Sequence, residues 1–244
     1  MTTVITIEAR MRSTRLPGKV LRPVLGQPML ARMIERLRRV RRADGIVVAT
    51  TVHAADDPIA EVARELGVAC HRGSEEDVLS RVLDAARGAG ADLIVETTAD
   101  CPVIDPGVID QLIDTFASNQ VDYCSNILRH TYPRGLDAQV FPVAVLADVA
   151  GRTNDPADRE HVSLYIYEHP ERYRLLNVAS GLDPADAEWR LTVDTPEDFG
   201  LITAIYQELY PEHPRFGLAE MLELLHRRPD LATLNQHVRQ KAVR

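Results

Sequence analysis

The sequence predicts an α/β protein of three layers, in which helices cover both faces of a mainly parallel β-sheet. The first observation is that short apolar runs alternate with stretches of helical periodicity over the first half of the chain, which is typical of consecutive βα units. The second is that Pro28, Pro58 and Pro106 stand where three of these helices begin, a position that tolerates proline because its missing N–H needs no partner there.

In the first half of the chain the strands and helices follow one another in a regular order. The apolar runs predict strands at residues 4–7, 46–50, 68–71 and 93–96. The helical patterns predict helices at residues 29–41, 59–66, 78–89 and 108–118.

This regular order changes after residues 123–125. Residues 126–180 contain a predicted strand at 138–141 and a helix-rich stretch at 158–169. We interpret residues 126–180 as an excursion from the sheet that provides contacts to an acceptor substrate and a dimer interface. The sheet is then expected to resume at residues 189–193.

The C-terminal part of the chain reads as helical. The string Asp194-Thr195-Pro196-Glu197 predicts the capped start of a helix that ends near residue 209. A second helix is predicted from residue 217 to about 226, followed by a turn at Pro229 and a charged tail to residue 244. We expect residues 1–244 to form a single domain.

Composition excludes several classes of protein. A hydrophobic content of 45% with 26% charged residues is enough for a sizeable core, and no apolar run approaches the ~20 residues that span a bilayer. Three widely spaced cysteines and the lack of a secretory signal pattern predict a cytoplasmic protein.

The net charge of −8 argues against nucleic-acid binding. The basic stretch at residues 36–42 could form a nucleic-acid patch, but we interpret it as the solvated end of a helix.

A basic loop directly follows the first predicted strand. Arg10, Ser13, Arg15 and Lys19 lie within ten residues there, with Gly18 among them. Cationic side chains and exposed backbone N–H groups at the carboxyl end of a sheet are how α/β proteins hold polyphosphates. The loop matches neither the Walker A pattern nor the dinucleotide-binding pattern. The alternative is a solvated basic loop.

Two aspartates also follow predicted strands. Asp100 comes after the apolar run at 93–95, where ligands bind in open α/β sheets. A carboxylate beside a polyphosphate requires a cation between them, and Mg²⁺ is the hard cation that oxygen ligands prefer. The alternative is an aspartate that caps the turn at 102–105. Asp194 follows the run at 189–193, and its pattern alone favours a helix N-cap.

Three motifs resemble those of the bacterial sugar cytidylyltransferases, a family that includes the 3-deoxy-manno-octulosonate and spore-coat polysaccharide types, with acylneuraminate enzymes as relatives. The string R-x-x-S-T-R-L-P-G-K resembles their nucleotide-binding loop, ADCPVIDP resembles their GDCPLIDP element, and VDTPED resembles their C-terminal metal-binding element. The resemblance implies a Rossmann-like nucleotide-diphospho-sugar transferase (GT-A-like) fold. It also implies that Ala9, Arg10, Ser13, Arg15 and Lys19 bind the nucleotide, and that Asp100 and Asp194 bind Mg²⁺.

Further strings extend the resemblance. RGSEEDVLSR is similar to an element that lines the family's nucleotide pocket, which implies nucleotide contacts for Arg72, Ser74 and Arg81. YPRGLDAQVF and REHVSLYIYEHP resemble the spore-coat branch most. They imply an acceptor site made of Tyr132, Arg134, Asp137, Arg159, Glu160 and His161. Arg12, Ala99 and Gln139 depart from the family pattern.

The resemblance implies a transfer of CMP from CTP to a sugar acid or related small molecule, with release of pyrophosphate. Arg10, Arg15, Lys19 and Asp100 are the expected catalytic residues, Mg²⁺ is the expected cofactor, and a homodimer is the expected assembly. Alternatives are another nucleoside triphosphate, a phosphonate or sugar-phosphate acceptor, or a nucleotide-binding regulatory module without turnover. A glycosyltransferase is disfavoured because no D-x-D motif stands in the right strand context.

Overall fold

The computed structural model describes residues 1–240 and contains a seven-stranded sheet with helices on both faces. The first part of the chain forms β1 (Thr3–Glu8), β2 (Pro23–Val24), β3 (Gln27–Pro28), α1 (Met29–Leu37), β4 (Gly45–Thr51), α2 (Asp57–Glu65), β5 (Ala69–Gly73), α3 (Val78–Gly88), β6 (Leu93–Thr98) and α4 (Pro106–Ala117). The second part forms β7 (Tyr123–Ser125), β8 (Gln139–Pro142), α5 (Val143–Ala150), α6 (Pro156–Glu160), α7 (Leu164–Glu168), β9 (Leu175–Asn177), α8 (Pro184–Ala187), α9 (Pro196–Leu209), α10 (Leu218–Arg227) and α11 (Pro229–Ala232). Among the helices of the described residues, none combines the length and the apolar character needed to cross a bilayer.

The strands lie in the order β5-β4-β1-β6-β8-β7-β9. β1 pairs in parallel with β4 and β6, and β4 pairs in parallel with β5. Only β8 runs against its neighbours, β6 and β7, while β7 and β9 are again parallel. The predicted α/β fold with a mainly parallel, mixed sheet is therefore confirmed.

Each face of the sheet covers its own core, because side chains alternate along a strand. On one face Ile5 and Ile7 of β1 belong to a cluster with Met33 of α1, and this cluster extends to α4, α9 and α10. On the other face Val4 belongs to a cluster with Val82 of α3, which extends to α5 and α7. These two clusters make the three layers.

The second half of the sheet differs from the prediction. Residues 126–180 return to the sheet twice, because they contribute β8 and β9 to it, while α5, α6 and α7 lie between these strands. The predicted strand at 189–193 is wrong, since this segment makes only an isolated parallel bridge between Arg134 and Arg190. Its backbone bonds to loops instead: the amide of Val193 donates to the carbonyl of Asp100, at 2.8 Å.

Some helices and strands also differ from the sequence pattern. α1 ends at Leu37 rather than Arg41. The helix-rich stretch at 158–169 lies in two short helices, α6 and α7, and Val162 between them has a positive φ of 40°. The hairpin β2–β3, α5 and β9 were not predicted. Part of the predicted charged tail lies outside the described residues.

The basic stretch at 36–42 is bound largely by the protein itself. Arg36 is buried, and Arg41 and Arg42 form ion pairs with Asp110 and Asp114 of α4. These contacts agree with the interpretation of a helix end and leave few of its cations free for a nucleic acid.

Candidate functional site

The basic loop, residues 9–19, leaves the carboxyl end of β1 and closes on Met11. The carbonyl oxygen of Met11 accepts hydrogen bonds from the amides of Ser13 (3.0 Å) and Gly18 (2.8 Å). Gly18 has a φ of 71°, in the left-handed region that glycine adopts without strain. Ala9 is buried, and its amide extends the pairing with β4 by one residue. The loop is thus held close to the sheet edge at both of its ends.

Lys19, at the end of this loop, joins the two aspartates that the motifs singled out. Its ammonium nitrogen lies 3.1 Å from Asp100 Oδ2 and 2.9 Å from Asp194 Oδ1, and it donates to the carbonyl of Val193 at 2.7 Å. Burial alone would lower the pKa of Lys19, but the charges of Asp100 and Asp194 outweigh it and raise that pKa. Lys19 therefore stays cationic in a buried position.

Asp194 accepts cations on both of its oxygens. Its Oδ2 lies 2.9 Å from the guanidinium of Arg15 and 2.6 Å from that of Arg190. Burial tends to raise the pKa of Asp194, yet the neighbouring cations lower it overall. The N-cap alternative for Asp194 is wrong, because Thr195 caps α9 and accepts from the amide of Asp198.

Asp100 likewise does not cap the helix that follows it. The N-cap of α4 is Asp105, whose Oδ1 accepts from the amide of Gly107 at 2.6 Å. Asp100 Oδ1 accepts instead from the hydroxyl of Thr98 at 2.5 Å, and its Oδ2 faces Lys19. Its carboxylate is therefore oriented by the end of β6 towards the basic loop.

Sequence reasoning missed three residues that support Asp194. Arg190 bridges Asp194 and Asp198, with its Nε 3.0 Å from Asp198 Oδ1. Asn235 donates to the same Asp198 oxygen at 2.7 Å, from the C-terminal segment. Asp198 lies within the VDTPED string, so a motif contained it without marking its role, whereas Arg190 and Asn235 lie outside every quoted motif.

The donor set around Lys19 fits a divalent cation. Asp100 and Asp194 supply the hard carboxylate oxygens that Mg²⁺ prefers, and the ammonium between them shows that this position favours positive charge. Within residues 1–240 no group of three or more His, Cys, Asp or Glu side chains could hold a metal. Two carboxylates with phosphate oxygens are a usual Mg²⁺ arrangement, so a metal here would be shared with a polyphosphate.

The predicted nucleotide residues after β5 shape one turn. Arg72 donates to the carbonyls of Thr51 (2.9 Å) and His53 (3.0 Å), and Arg81 donates to the carbonyl of Ser74. The hydroxyl of Ser74 accepts from a backbone amide at the start of α3. Ser74 and Arg81 are in contact, and the guanidinium groups of Arg72 and Arg81 bind the protein itself in this structure, that of Arg72 also pairing with Asp57 at 2.7 Å.

Of the predicted acceptor residues, Tyr132 and Arg134 lie on the loop that faces residues 189–193. Tyr132 is buried, and its hydroxyl donates to Gln111 of α4 at 3.1 Å. The guanidinium of Arg134 lies 3.3 Å from the ring nitrogen of His130 and is partly exposed. Arg134 is thus more accessible to a ligand than Tyr132.

Gly135 allows this loop to lie directly against the segment that leads to Asp194. Its φ is 102°, and a Cβ at this position would lie 2.6 Å from the amide nitrogen of Thr192. The amide of Gly135 donates to Asp137 Oδ2 at 3.3 Å. Burial, with a smaller contribution from the charge of Asp100, raises the pKa of Asp137 to about 6. The loop therefore places a third carboxylate near Asp100.

The remaining acceptor candidates lie on α6 and just after it. Arg159 uses all five of its N–H groups within the protein. Its partners are the carbonyls of Ala150 and Thr153 and the side chains of Asp77, Ser80 and Asn154. Glu160 lies 3.7 Å from Arg10, and His161 is the residue that ends α6. An acceptor could bind Arg159 only by displacing one of these bonds.

A cavity of about 630 Å³ separates α6 from the basic loop. Its lining includes Arg10, Arg12, Glu75, Asp77, Arg159 and Glu160. The cavity therefore joins Arg10, one of the predicted nucleotide residues, to two of the predicted acceptor residues. Both signs of charge are present around it.

Two further carboxylates, Glu8 and Glu96, lie on neighbouring strands beneath the loop. Glu96 is buried and stands opposite Gln139 of β8 in the sheet register. Burial raises the pKa of Glu8 to about 7, although the charge of Arg81 acts in the opposite direction. Burial and the charge of Glu8 raise the pKa of Glu96 well above its usual value. No motif pointed to this pair.

Comparison with known proteins agrees with the motifs. Residues 4–226 match the family model described as cytidylyltransferase. The chain is 35% identical over 232 residues to the spore coat polysaccharide biosynthesis protein SpsF of Bacillus subtilis. The aligned region covers 93% of this chain and 95% of that protein.

Solved structures share the fold. A cytidylyltransferase from Leptospira borgpetersenii serovar Hardjo-bovis has a TM-score of 0.91 at 32% identity, over 99% of this chain and 100% of that one. A CMP:2-keto-3-deoxy-manno-octonic acid synthetase complexed with CTP has a TM-score of 0.64 at 20% identity, over 86% of this chain and 100% of that one. The second likeness is one of fold alone.

Proposed function

The chain belongs to the cytidylyltransferase family, and from that premise we propose that it transfers CMP from CTP to a sugar acid or a related small acceptor, with release of pyrophosphate. The observation that supports this most directly is the position of Lys19. Its ammonium group joins Asp100 and Asp194 at the sheet edge where the basic loop begins and ends. Cations and carboxylates that converge at one point suit a polyphosphate held together with a metal ion.

In the proposed reaction an oxygen of the acceptor attacks the α-phosphorus of CTP. A new P–O bond forms as the bond to the β-phosphate oxygen breaks, and the electron pair leaves with pyrophosphate. A hydroxyl acceptor also gives up its proton, which passes to solvent. The protein supplies no covalent nucleophile, so catalysis consists of positioning and of stabilising the charge that builds on the leaving group.

The basic loop provides the groups for that task. Arg10 and Arg15 are partly exposed towards the site, with side-chain exposures of 41% and 37%. Lys19 is buried against the aspartates, so it can bind a phosphate oxygen only where the polyphosphate meets them. We assign Arg10, Arg15 and Lys19 to the triphosphate, with Ser13 and the backbone of Ala9 beside it.

Asp100 and Asp194 are the residues that would hold Mg²⁺. When bound there, Mg²⁺ would act as a Lewis acid on the phosphate oxygens. Asp194 is kept ionised by its cationic neighbours, because its pKa is lowered despite burial. Thr98 orients Asp100, and Arg190 orients Asp194, so both carboxylates are in place before any ligand arrives.

The cavity beside the loop is our candidate for the nucleotide. Arg72, Ser74 and Arg81 do not line it, but Ser74 directly precedes its lining residues Glu75–Asp77, so we assign these three residues to the nucleotide side of the site. We place the acceptor on the side of Tyr132, Arg134 and Asp137. We also keep three residues of α6 and its end on the acceptor side of the proposed site: Arg159, Glu160 and His161. Since the donors of Arg159 are all used, its role is to hold α6 against α3 beside the acceptor rather than to bind it.

We also propose a homodimer formed through residues 126–180 and a cytoplasmic location. β9 supports the interface, because among the described residues it is an edge strand of the sheet, paired with β7, and its Leu175 and Leu176 are partly exposed. The free cysteines Cys70, Cys101 and Cys124 agree with a reducing compartment. Sedimentation at micromolar concentration tests the dimer, and a monomer would contradict it.

The function is tested by thermal stabilisation with CTP, UTP, GTP, ATP and dTTP, each with Mg²⁺ or with a chelator. A ligand at ~100 times its Kd stabilises the native state by about 2.7 kcal/mol. We expect a Mg²⁺-dependent shift that is selective for CTP, followed by pyrophosphate release with sugar-acid acceptors. The shift should be lost in Arg10→Ala and kept in Arg64→Ala, whose exposed guanidinium pairs with Glu61 on α2.

Each other outcome is informative. A shift selective for another triphosphate would change the donor and contradict CTP. CTP binding without pyrophosphate release in the presence of any sugar acid, sugar phosphate or phosphonate would favour a regulatory module. No shift with any triphosphate would contradict the proposed use of the loop.

A further inference from the structure

Asp56 is a buried acid that none of the motifs includes. It follows β4, in the short 3₁₀ helix Ala54–Asp56, and is 2% exposed. Asp56 occupies the N-cap position of α2, where an aspartate ordinarily binds the first free amides of the helix. Here its side chain makes no such cap bond. The usual role of an aspartate at this position is therefore absent, and its hydrogen bonds lie elsewhere.

The carboxylate of Asp56 connects β4 to the basic loop. Its Oδ1 accepts from the amide of Met11 at 2.7 Å, and its Oδ2 accepts from the hydroxyl of Thr51. Thr51 is the last residue of β4, and its hydroxyl in turn accepts from the amide of His53 at 3.1 Å. Asp56 is thus oriented by the rigid end of a central strand.

Met11 is the residue on which the basic loop closes. Its carbonyl accepts from the amides of Ser13 and Gly18, and its own amide goes to Asp56. Arg10 directly precedes Met11. Arg15 lies in the segment 11–18, which the hydrogen bond from the amide of Gly18 to the carbonyl of Met11 closes. The position of Met11 therefore sets the position of the cations on both sides of it.

We propose that Asp56 is a positioning residue for the phosphate-binding loop, which it holds through the amide of Met11 without touching the nucleotide. An ionised carboxylate is a stronger acceptor for an amide than a neutral group, and a buried carboxylate needs such donors to offset its desolvation. The importance of this anchor for catalysis rests on the proposed function. The anchor itself does not.

Limited proteolysis can test the anchor without any nucleotide. The loop contains four trypsin sites, of which Lys19 is buried and Arg10, Arg12 and Arg15 are at least partly exposed; the test follows cleavage at the three arginines. In Asp56→Ala the amide of Met11 loses its partner, and we expect cleavage at these sites to accelerate on the order of tenfold, the scale of one lost hydrogen bond to a charged group. Asp56→Asn keeps an oxygen for Met11 and should restore most of the protection.

Asp183→Ala is the matched control. Asp183 is likewise the N-cap residue of a helix with a proline in its first turn, and within the described part of the chain its carboxylate accepts from the amide of Ala185 in that same helix. Its removal should leave loop cleavage unchanged. If Asp56→Ala fails to fold, Thr51→Val removes the hydroxyl that orients Asp56 at nearly constant volume, and should give a smaller acceleration in the same direction.

The dissociation constant of CTP provides the second measurement. We expect it to rise about tenfold in Asp56→Ala and to recover in Asp56→Asn. Unchanged loop cleavage and unchanged CTP affinity in a folded Asp56→Ala would overturn the proposal. If the unsubstituted protein binds no CTP but Asp56→Ala is still cleaved faster in the loop, the anchor is supported and the proposed function is contradicted. The two failures are therefore distinguishable.

Discussion

The ammonium nitrogen of Lys19 lies 2.9 Å from Asp194 Oδ1, although the two residues are 175 positions apart in the chain. Lys19 is the last residue of the basic loop that follows β1. The same ammonium lies 3.1 Å from Asp100. One cation thus compensates two carboxylates that follow different parts of the chain. Any divalent cation that both aspartates bind has to share this small space with Lys19.

Lys19→Met should separate the effects of Lys19 on stability and on catalysis. Loss of the ammonium leaves Asp100 and Asp194 facing each other, which we expect to lower the free energy of unfolding by about 1–3 kcal/mol. Mg²⁺ should stabilise this variant more than the unsubstituted protein, because it can take the place of the lost charge. Urea unfolding with and without Mg²⁺ measures both effects, and an equal response of the two proteins to Mg²⁺ would contradict the shared site.

Asp100→Asn should abolish most turnover while the fold is kept. The amide retains an oxygen for the hydroxyl of Thr98 but lacks the negative charge that a metal ion and Lys19 require. We expect at least a ~100-fold loss in pyrophosphate release, the scale of one well-placed electrostatic group. Asp114→Asn, an exposed acid of α4, is the control. Near-normal turnover in Asp100→Asn would sink the assignment of Asp100.

Sequence patterns predicted the parallel strands β1, β4, β5 and β6, because each was marked by a short run with apolar residues that precedes a helical pattern, but they missed the hairpin β2–β3. The same reasoning failed at residues 189–193. This apolar segment has a strand-like pattern, but its backbone bonds to Arg134 and Asp100 rather than to a strand. Only the tertiary position of those loops decides between the two outcomes.

The candidate site was predictable where its residues stand in short motifs. Lys19, Asp100 and Asp194 were found in this way, and the structure brings them into contact. Arg190 and Asn235 were not found, because no short motif joins them to their partners. Asn235 and Asp198, for example, are 37 positions apart in the chain and come into contact only in the folded protein. No local pattern marks a buried arginine as the support of a ligand.

Gly135→Ala should destabilise the protein strongly. The new methyl group would collide with the backbone of Leu191 and Thr192, and the φ of 102° disfavours any side chain. We expect a loss of about 2 kcal/mol or more in the free energy of unfolding. Gly181→Ala is the control, since its φ of 72° is also positive but no atom lies within 4 Å of the added Cβ. Similar losses in both variants would show that the close approach at Gly135 is unimportant.

The pair Glu8 and Glu96 predicts a stability that falls as pH rises. Both pKa values are raised in the folded protein, that of Glu8 from 4.5 to about 7, so between these values the native state binds more protons than the unfolded state. The stabilisation is complete below pH 4.5 and is lost as the pH passes about 7, where the native state must give up protons from a buried pair. Glu96→Gln removes one of the two acids and should lose less stability than the unsubstituted protein between pH 5.5 and pH 8, in buffers of about equal ionic strength. Urea unfolding at several pH values measures this difference. Parallel pH profiles for the two proteins would show that the pair does not bind the extra protons.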